Sequence, residues 1–383
     1  MTSSQASEPQ LAACRPRVRA LLAAGAVAFA ALVAASVLAG GEALFFLLAG
    51  LQVGPFLVLA VLAQLGQRRA WARVATYLWL AATLAAVAAF VLLVSSSALI
   101  SLAGDREPAP LVASAGRVAL ALLASGPLAI ALLFRPVRAL VARALPIDPD
   151  SLVHTVALVF IAYFTVVSFA QLVVLGGRPP ILVSIEAMSA ADATGGRSPA
   201  GQLLDMVYGL AWTIPMAIAG AGFPVRRALR DSLGRLGLTR PSRTHLLVGL
   251  SLAIALVVLF NGIDEAISWL WGLLGWPTTS ESAVKKLLGA GLSPIGAIAV
   301  GVTAGIGEEL GTRGLLQPRL GKVIPNLAFV AAHAYQYGPD ALMSVFLMGM
   351  ILAFVRSRSN TTVAALVHGT YDFLAIMQQV VGV

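Results

Sequence analysis

Cysteine and charge are what this chain has least of. Its one cysteine, Cys14, excludes an intramolecular disulfide and a cysteine-built metal cluster. Only 11% of the 383 residues are charged, against about 25% in an ordinary soluble domain. With 59% of residues hydrophobic, most of the chain cannot sit in water. Three protease signatures are also missing: the HExxH zinc helix, the GxGD of aspartyl intramembrane enzymes and the GxSG of rhomboid serine enzymes. The net charge of +9 lacks the aromatic–basic interleaving of a nucleic-acid surface, because the basic residues lie in short loops between apolar runs. The partner implied is a lipid bilayer, and nucleic acid is not expected.

What the chain does have is apolar runs of about 20 residues, the length that crosses the hydrocarbon core. Eleven stand roughly at 20–39, 43–66, 74–98, 110–134, 152–176, 203–224, 246–263, 293–317, 324–337, 341–356 and 361–381. They predict an all-α fold, a polytopic transmembrane helix bundle of about 11 spans in the cell membrane. Heavy use of Ala, Gly, Val and Arg is that of a GC-rich bacterium, hence an inner or plasma membrane. Cys14 follows Leu11-Ala12-Ala13, as in a lipoprotein cleavage box, but no hydrophobic region precedes it, so it reads as a residue of a polar tail. The first run, after Arg15, Arg17 and Arg19, reads as a retained signal-anchor.

Basic residues set the expected orientation. With the N-terminus in the cytoplasm, twenty of the 26 Lys and Arg fall inside. The outside keeps Arg106, Arg117, Arg178, Arg197, Lys285 and Lys286. The basic stretch 225–244 is the expected boundary between an N-terminal membrane region of about six spans (1–244) and a C-terminal membrane domain (245–383). Segment 264–292, with Trp269, Trp271 and Trp276, reads as an outer-face interfacial stretch.

A charge at mid-helix in a bilayer costs about 2.5–3.5 kcal/mol on insertion scales, so chains keep such groups where they pair or work. His154, Arg117, Asp205 and His245 lie near span ends and Asp264-Glu265 reads as an exposed pair at a helix end; all are assigned structural roles. The last four spans differ. They carry Glu308, Glu309 and Arg313, then His333, then His368 with Asp372. Glu309 and Arg313 are four apart, an intrahelical pair in the favoured direction. Glu308 is rotated by about 100° and is left free to titrate. His368 and Asp372 are also four apart, so Asp372 is expected to orient the imidazole. At 1.5 Å per residue, Glu308 and His333 lie about 14 Å, and His368 about 12 Å, from the inner ends of their spans. Three helices thus bring ionisable groups to one level, nearer the cytoplasm.

Glu308-Glu309-x-x-x-Arg313, Phe329-x-x-x-His333 and His368-x-x-x-Asp372 resemble, in order, the three motifs of the CPBP family of intramembrane proteases. This is also called the Abi or type II CAAX protease family and includes the prenyl-protein endopeptidases. The resemblance covers roughly 290–383, places the active site within the last four helices and the motifs in 308–372, and leaves the first six spans uncovered. It implies that Glu308 is a general base acting with His333 on a water, while His368 and the residue at Asp372 hold the oxyanion or position that histidine. An ionised Asp cannot donate to an oxyanion, so Asp372 is better suited to keeping His368 protonated. Phe329 is equally readable as a packing residue.

The metal question stays open at this level: Glu308, His333 and His368 are candidate zinc ligands, and a metal-free glutamate mechanism needs the same residues. The expected substrate is a peptide or protein, membrane-anchored or prenylated, cut near the cytoplasmic side. The competing readings are a non-catalytic scaffold or bacteriocin-immunity protein of the same fold and a proton-coupled transporter. No paired broken-helix repeat favours the transporter.

Overall fold

The computed structural model describes residues 8–103 and 108–382. Arg106, counted above with the outer basic residues, lies outside the described residues, as do the side chains of Cys14, Arg15, Arg17 and Arg19. The described chain is helical, with no strand among these residues. Its helices are α1 (Glu8–Ala39), α2 (Gly41–Gly66), α3 (Ala70–Ala103), α4 (Pro108–Ala131), α5 (Arg135–Val141), α6 (Leu152–Val174), α7 (Pro180–Ala187), α8 (Ala190–Ala193) and α9 (Pro199–Ala221). There follow α10 (Leu229–Leu236), α11 (Arg243–Leu274), α12 (Glu281–Leu288) and α13 (Pro294–Glu309). A π-helical segment (Leu310–Leu316) leads from α13 into α14 (Gln317–Leu320), and α15 (Val323–His333), α16 (Pro339–Arg358) and α17 (Thr361–Val381) complete the chain. Side-chain caps open many of them. Ser151, Ser198, Ser242, Ser293 and Asn360 each accept a backbone N–H of the first turn, satisfying donors that a helix start leaves orphaned.

All eleven apolar runs fall on helices. Among the described residues, seven helices are by themselves long and apolar enough to cross a membrane: α2, α3, α4 (over Ala113–Ala131), α6, α9, α11 and α16. An eighth candidate is bent by 93° between Glu281–Gly291 and Pro294–Leu320. Three runs remain. On α1, Ala23–Leu38 is the apolar part among the described side chains. The 11 residues of α15 rise only about 16 Å, half of a hydrocarbon core about 30 Å thick. α17 carries the polar cluster described below.

Two local expectations also change. α11 runs on to Leu274, so Trp269 and Trp271 stand on a helix and Asp264-Glu265 lie within it rather than at its end. Trp269 and Trp276 are exposed, whereas Trp271 is buried edge-on to Trp276 at 5.1 Å. Asp264 accepts a hydrogen bond from Ser344 on α16. The stretch 225–244 contacts both sides of the expected boundary. Leu236 is buried with Ala217, Ala221 and Leu310. Its carbonyl accepts from Thr361 Oγ1 (2.6 Å), and the Gly237 carbonyl accepts from Thr361 N (3.1 Å).

The contact that positions the site is between α13 and α17, and glycine makes it. A Cβ on Gly305 would lie 2.7 Å from the Ala365 carbonyl oxygen and 2.9 Å from Gly369 Cα; Gly301 faces the Gly369 carbonyl as closely. Gly301-x-x-x-Gly305 and Gly369 thus let two backbones touch, as small residues do in membrane helix pairs. Glu308 and Glu309, one turn further along α13, are carried against His368, one residue before Gly369.

Candidate active site

Glu308 and Glu309 end α13, and the backbone then winds one residue per turn wider through the π-helical segment, a device often found at functional sites. Thr312 Oγ1 donates to the Glu308 carbonyl at 2.6 Å within it. A Cβ on Gly314 would come within 3.0 Å of the Leu236 carbonyl oxygen, so glycine lets α10 press against the wide turn.

Glu309 and Arg313 are sealed from solvent, with Arg313 Nε 3.4 Å from Glu309 Oε2. Arg313 Nη2 donates to the Gly349 carbonyl on α16 at 2.9 Å, and its guanidinium lies 5.2 Å from the Phe329 ring centre, a cation–π distance. Asn326, fully buried on α15, donates to the Phe346 carbonyl at 3.0 Å and packs against Gly349. A Cβ on Gly349 would collide with Asn326 Oδ1 and stand 3.2 Å from Arg313 Nη2. α15 and α16 therefore hold Arg313 from two sides.

His368 is the centre of the cluster. Its Nδ1 lies 3.1 Å from Glu309 Oε1, within hydrogen-bond range, while Nε2 lies 3.5 Å from Asp372 Oδ2 and 3.8 Å from Glu308 Oε2. The partner that orients the ring is Glu309, from the neighbouring helix; Asp372, the expected partner on its own helix, is beyond hydrogen-bond length. Glu309 thus faces two side chains at once, Arg313 through Oε2 and His368 through Oε1. Exposure is graded across the group: Glu309 0%, His368 7%, Asp372 21% and Glu308 36% of their side chains. Glu308 is the carboxylate that an incoming molecule meets.

His333 ends α15. Its Nδ1 is 2.9 Å from the Phe329 carbonyl, and a carbonyl only accepts, so Nδ1 is the donor of this bond. No hydrogen bond or ion pair joins His333 to either glutamate among the described residues. Aromatic rings connect it instead: Phe329 lies 4.6 Å from the His333 ring and 6.1 Å from that of His368, and Tyr337 stacks on His333 at 5.8 Å. Phe329 is the shared wall of both histidines and of Arg313.

Among the described residues no three of His, Cys, Asp and Glu are grouped as metal ligands. Of the candidates Glu308, His333 and His368, the last has both nitrogens turned toward carboxylates. Sequence reasoning missed Asn326, Gly349 and the Gly301–Gly305–Gly369 contact. The small-xxx-small spacing was the readable signal for the contact; nothing in the sequence marks Asn326 or Gly349.

Residues 290–374 match the family model described as type II CAAX prenyl endopeptidase, Rce1-like. No curated protein and no solved structure matches the chain. The matched segment begins at the turn before α13 and runs through Asp372, so it contains all seven residues of the motifs and the helices that bring them together. Over residues 290–374, this multi-pass helical chain is similar to the Rce1-like type II CAAX prenyl endopeptidases.

Proposed function

We propose that the chain is an intramembrane endopeptidase that cuts a peptide bond with a water activated by Glu308. The observation that carries this reading is the graded cluster itself. A half-open carboxylate stands beside an imidazole that a fully buried carboxylate orients, within the segment that matches a protease family. Glu308 takes a proton from water as the water oxygen attacks the peptide carbonyl. The carbonyl oxygen becomes an oxyanion, to which His368 offers an N–H. Glu308 then returns the proton to the departing amine as the C–N bond breaks. His333 Nε2 is free to accept the water's second hydrogen and so to orient it. Asp372 acts on His368 by its charge. The substrate class is a peptide or protein tail reaching the site from the cytoplasmic side, membrane-anchored or prenylated.

The test is Glu308→Gln, which keeps size and polarity and removes the base. Purified variant should elute and melt like the parent and cleave a reporter tail at less than about one-hundredth of its rate, the usual scale for a positioned base. The parent protein, stripped by chelator and verified metal-free, should keep its turnover. An active Glu308→Gln, or full loss on chelation restored by zinc, would overturn the mechanism.

A further inference from the structure

A cavity of about 260 Å³ lies between α2, α6, α9 and the π-helical segment, away from the catalytic cluster. Its walls include Phe56, Leu59, Val156, Phe160 and Leu316, and polar atoms enter only through Gln64 and Arg319. Gln64 is 2% exposed; its Nε2 donates to the Gly220 carbonyl at 2.9 Å, and its Oε1 has no hydrogen-bond partner among the described residues. Arg319 is 5% exposed and donates only to backbone carbonyls, those of Leu315 (2.5 Å) and Gly220 (3.0 Å).

A buried guanidinium without a counter-charge is costly, and the other buried arginines avoid that state. Arg313 has Glu309. Arg138 makes three carbonyl hydrogen bonds and lies near Asp150. Arg319 has no carboxylate partner among the described residues, and its electrostatic neighbours are Arg235, Arg227 and Arg226. Partial burial pushes Arg235 below the ordinary arginine value, and repulsion from Arg227 and Arg356 adds to it. Arg319 thus brings a buried guanidinium without a carboxylate partner to the wall of an apolar cavity, with further arginines as its electrostatic neighbours.

We propose that this cavity binds an anionic phospholipid, with one acyl chain inside and the phosphate against Arg319 and Arg235. A phosphate accepts bidentate hydrogen bonds from guanidinium groups and neutralises them. Basic clusters beside a membrane span attract anionic headgroups. The volume favours a chain over a whole molecule, since pockets that enclose a ligand run to about 300–1,000 Å³. Apolar walls next to the cations distinguish a lipid from free phosphate.

The experiment uses the full chain in detergent, with phosphatidylglycerol, phosphatidylcholine of the same chains, and inorganic phosphate as separate probes. Melting temperature and native mass spectrometry are the readouts. Phosphatidylglycerol should raise the melting temperature and remain bound, while the other two do neither. Arg319→Gln, Arg235→Gln and the cavity-filling Ala157→Leu should each lose that response. Should Arg319→Gln fail to fold, the other two variants decide. An equal response to phosphatidylcholine, a response to inorganic phosphate alone, or an undiminished response in both Arg235→Gln and Ala157→Leu would refute the proposal.

Discussion

At the scale of single residues, the site turns on one carboxylate with two clients. Glu309 faces Arg313 through one oxygen and His368 through the other, both out of water. Glu309→Gln should therefore do two separable things. It leaves the Arg313 charge buried and unpaired, which costs about 3–5 kcal/mol, and it replaces the carboxylate that faces His368 with a neutral amide. Arg313→Gln should lose similar stability, and the double variant Glu309→Gln/Arg313→Gln should recover part of it because no lone charge remains. Turnover should not recover in the double variant, since His368 still lacks its carboxylate. Melting curves and rates on all three decide this; a double variant no more stable than the worse single one means that the two side chains do not act as a pair. Much of this was legible beforehand. Unpaired charge in apolar helices is rare enough to mark Glu308, His333 and His368, and the spacing of Glu309 and Arg313 foretold their pairing. The second client was not legible. Spacing along α17 pointed to Asp372, and which carboxylate reaches His368 depends on how α13 is turned against its neighbour.

The elements show where that turn comes from. Gly301, Gly305 and Gly369 allow backbone contact between α13 and α17, and two glutamates and a histidine share a face because of it. Gly305→Ala would place a methyl group 2.7 Å from the Ala365 carbonyl oxygen, which only a shift of one helix relieves. Overpacking of this kind costs about 1–3 kcal/mol, and the shift lengthens the 3.1 Å contact of His368 with Glu309. Turnover should fall at least tenfold in a variant that touches no catalytic group, and Gly311→Ala, where a Cβ has open space, should stay near the parent rate. A Gly305→Ala enzyme as fast as the parent would mean that close approach is not what sets the geometry. Apolar runs were enough to find the long helices, since hydrophobic length is a property of local sequence, but not the short α5, α7, α8, α10 and α12. The bend before Pro294 and the wide turn after Glu309 are settled by packing against distant segments such as Leu236, which no local pattern records.

On the scale of the whole molecule, orientation decides which compartment the site serves. The orientation expected from the charge asymmetry would put the start of α13 outside and its end, with Arg313 and Arg319, toward the cytoplasm. Ser357, exposed near the end of α16, and Ser282, exposed on α12, stand at opposite levels of the bundle. In a Cys14→Ser background, Ser357→Cys should resist a membrane-impermeant thiol reagent in intact cells and react after permeabilisation. Ser282→Cys should react from outside. Labelling of Ser357→Cys from outside would reverse the topology and with it cytoplasmic cleavage.

The wide turn from Leu310 to Leu316 makes the length of this stretch a functional quantity. A π-helical turn holds one residue more than ordinary winding allows, so loss of any one residue there would let the helix rewind as plain α-helix. Glu308 and Glu309 would stay where Gly301 and Gly305 pin them, and the helix beyond would keep its facing, because the residue lost and the wider winding lost cancel. Arg313, inside the stretch, would turn away from the Gly349 carbonyl. The stretch should accept many exchanges of side chain and almost no change in the number of residues, so that its information is carried in its count.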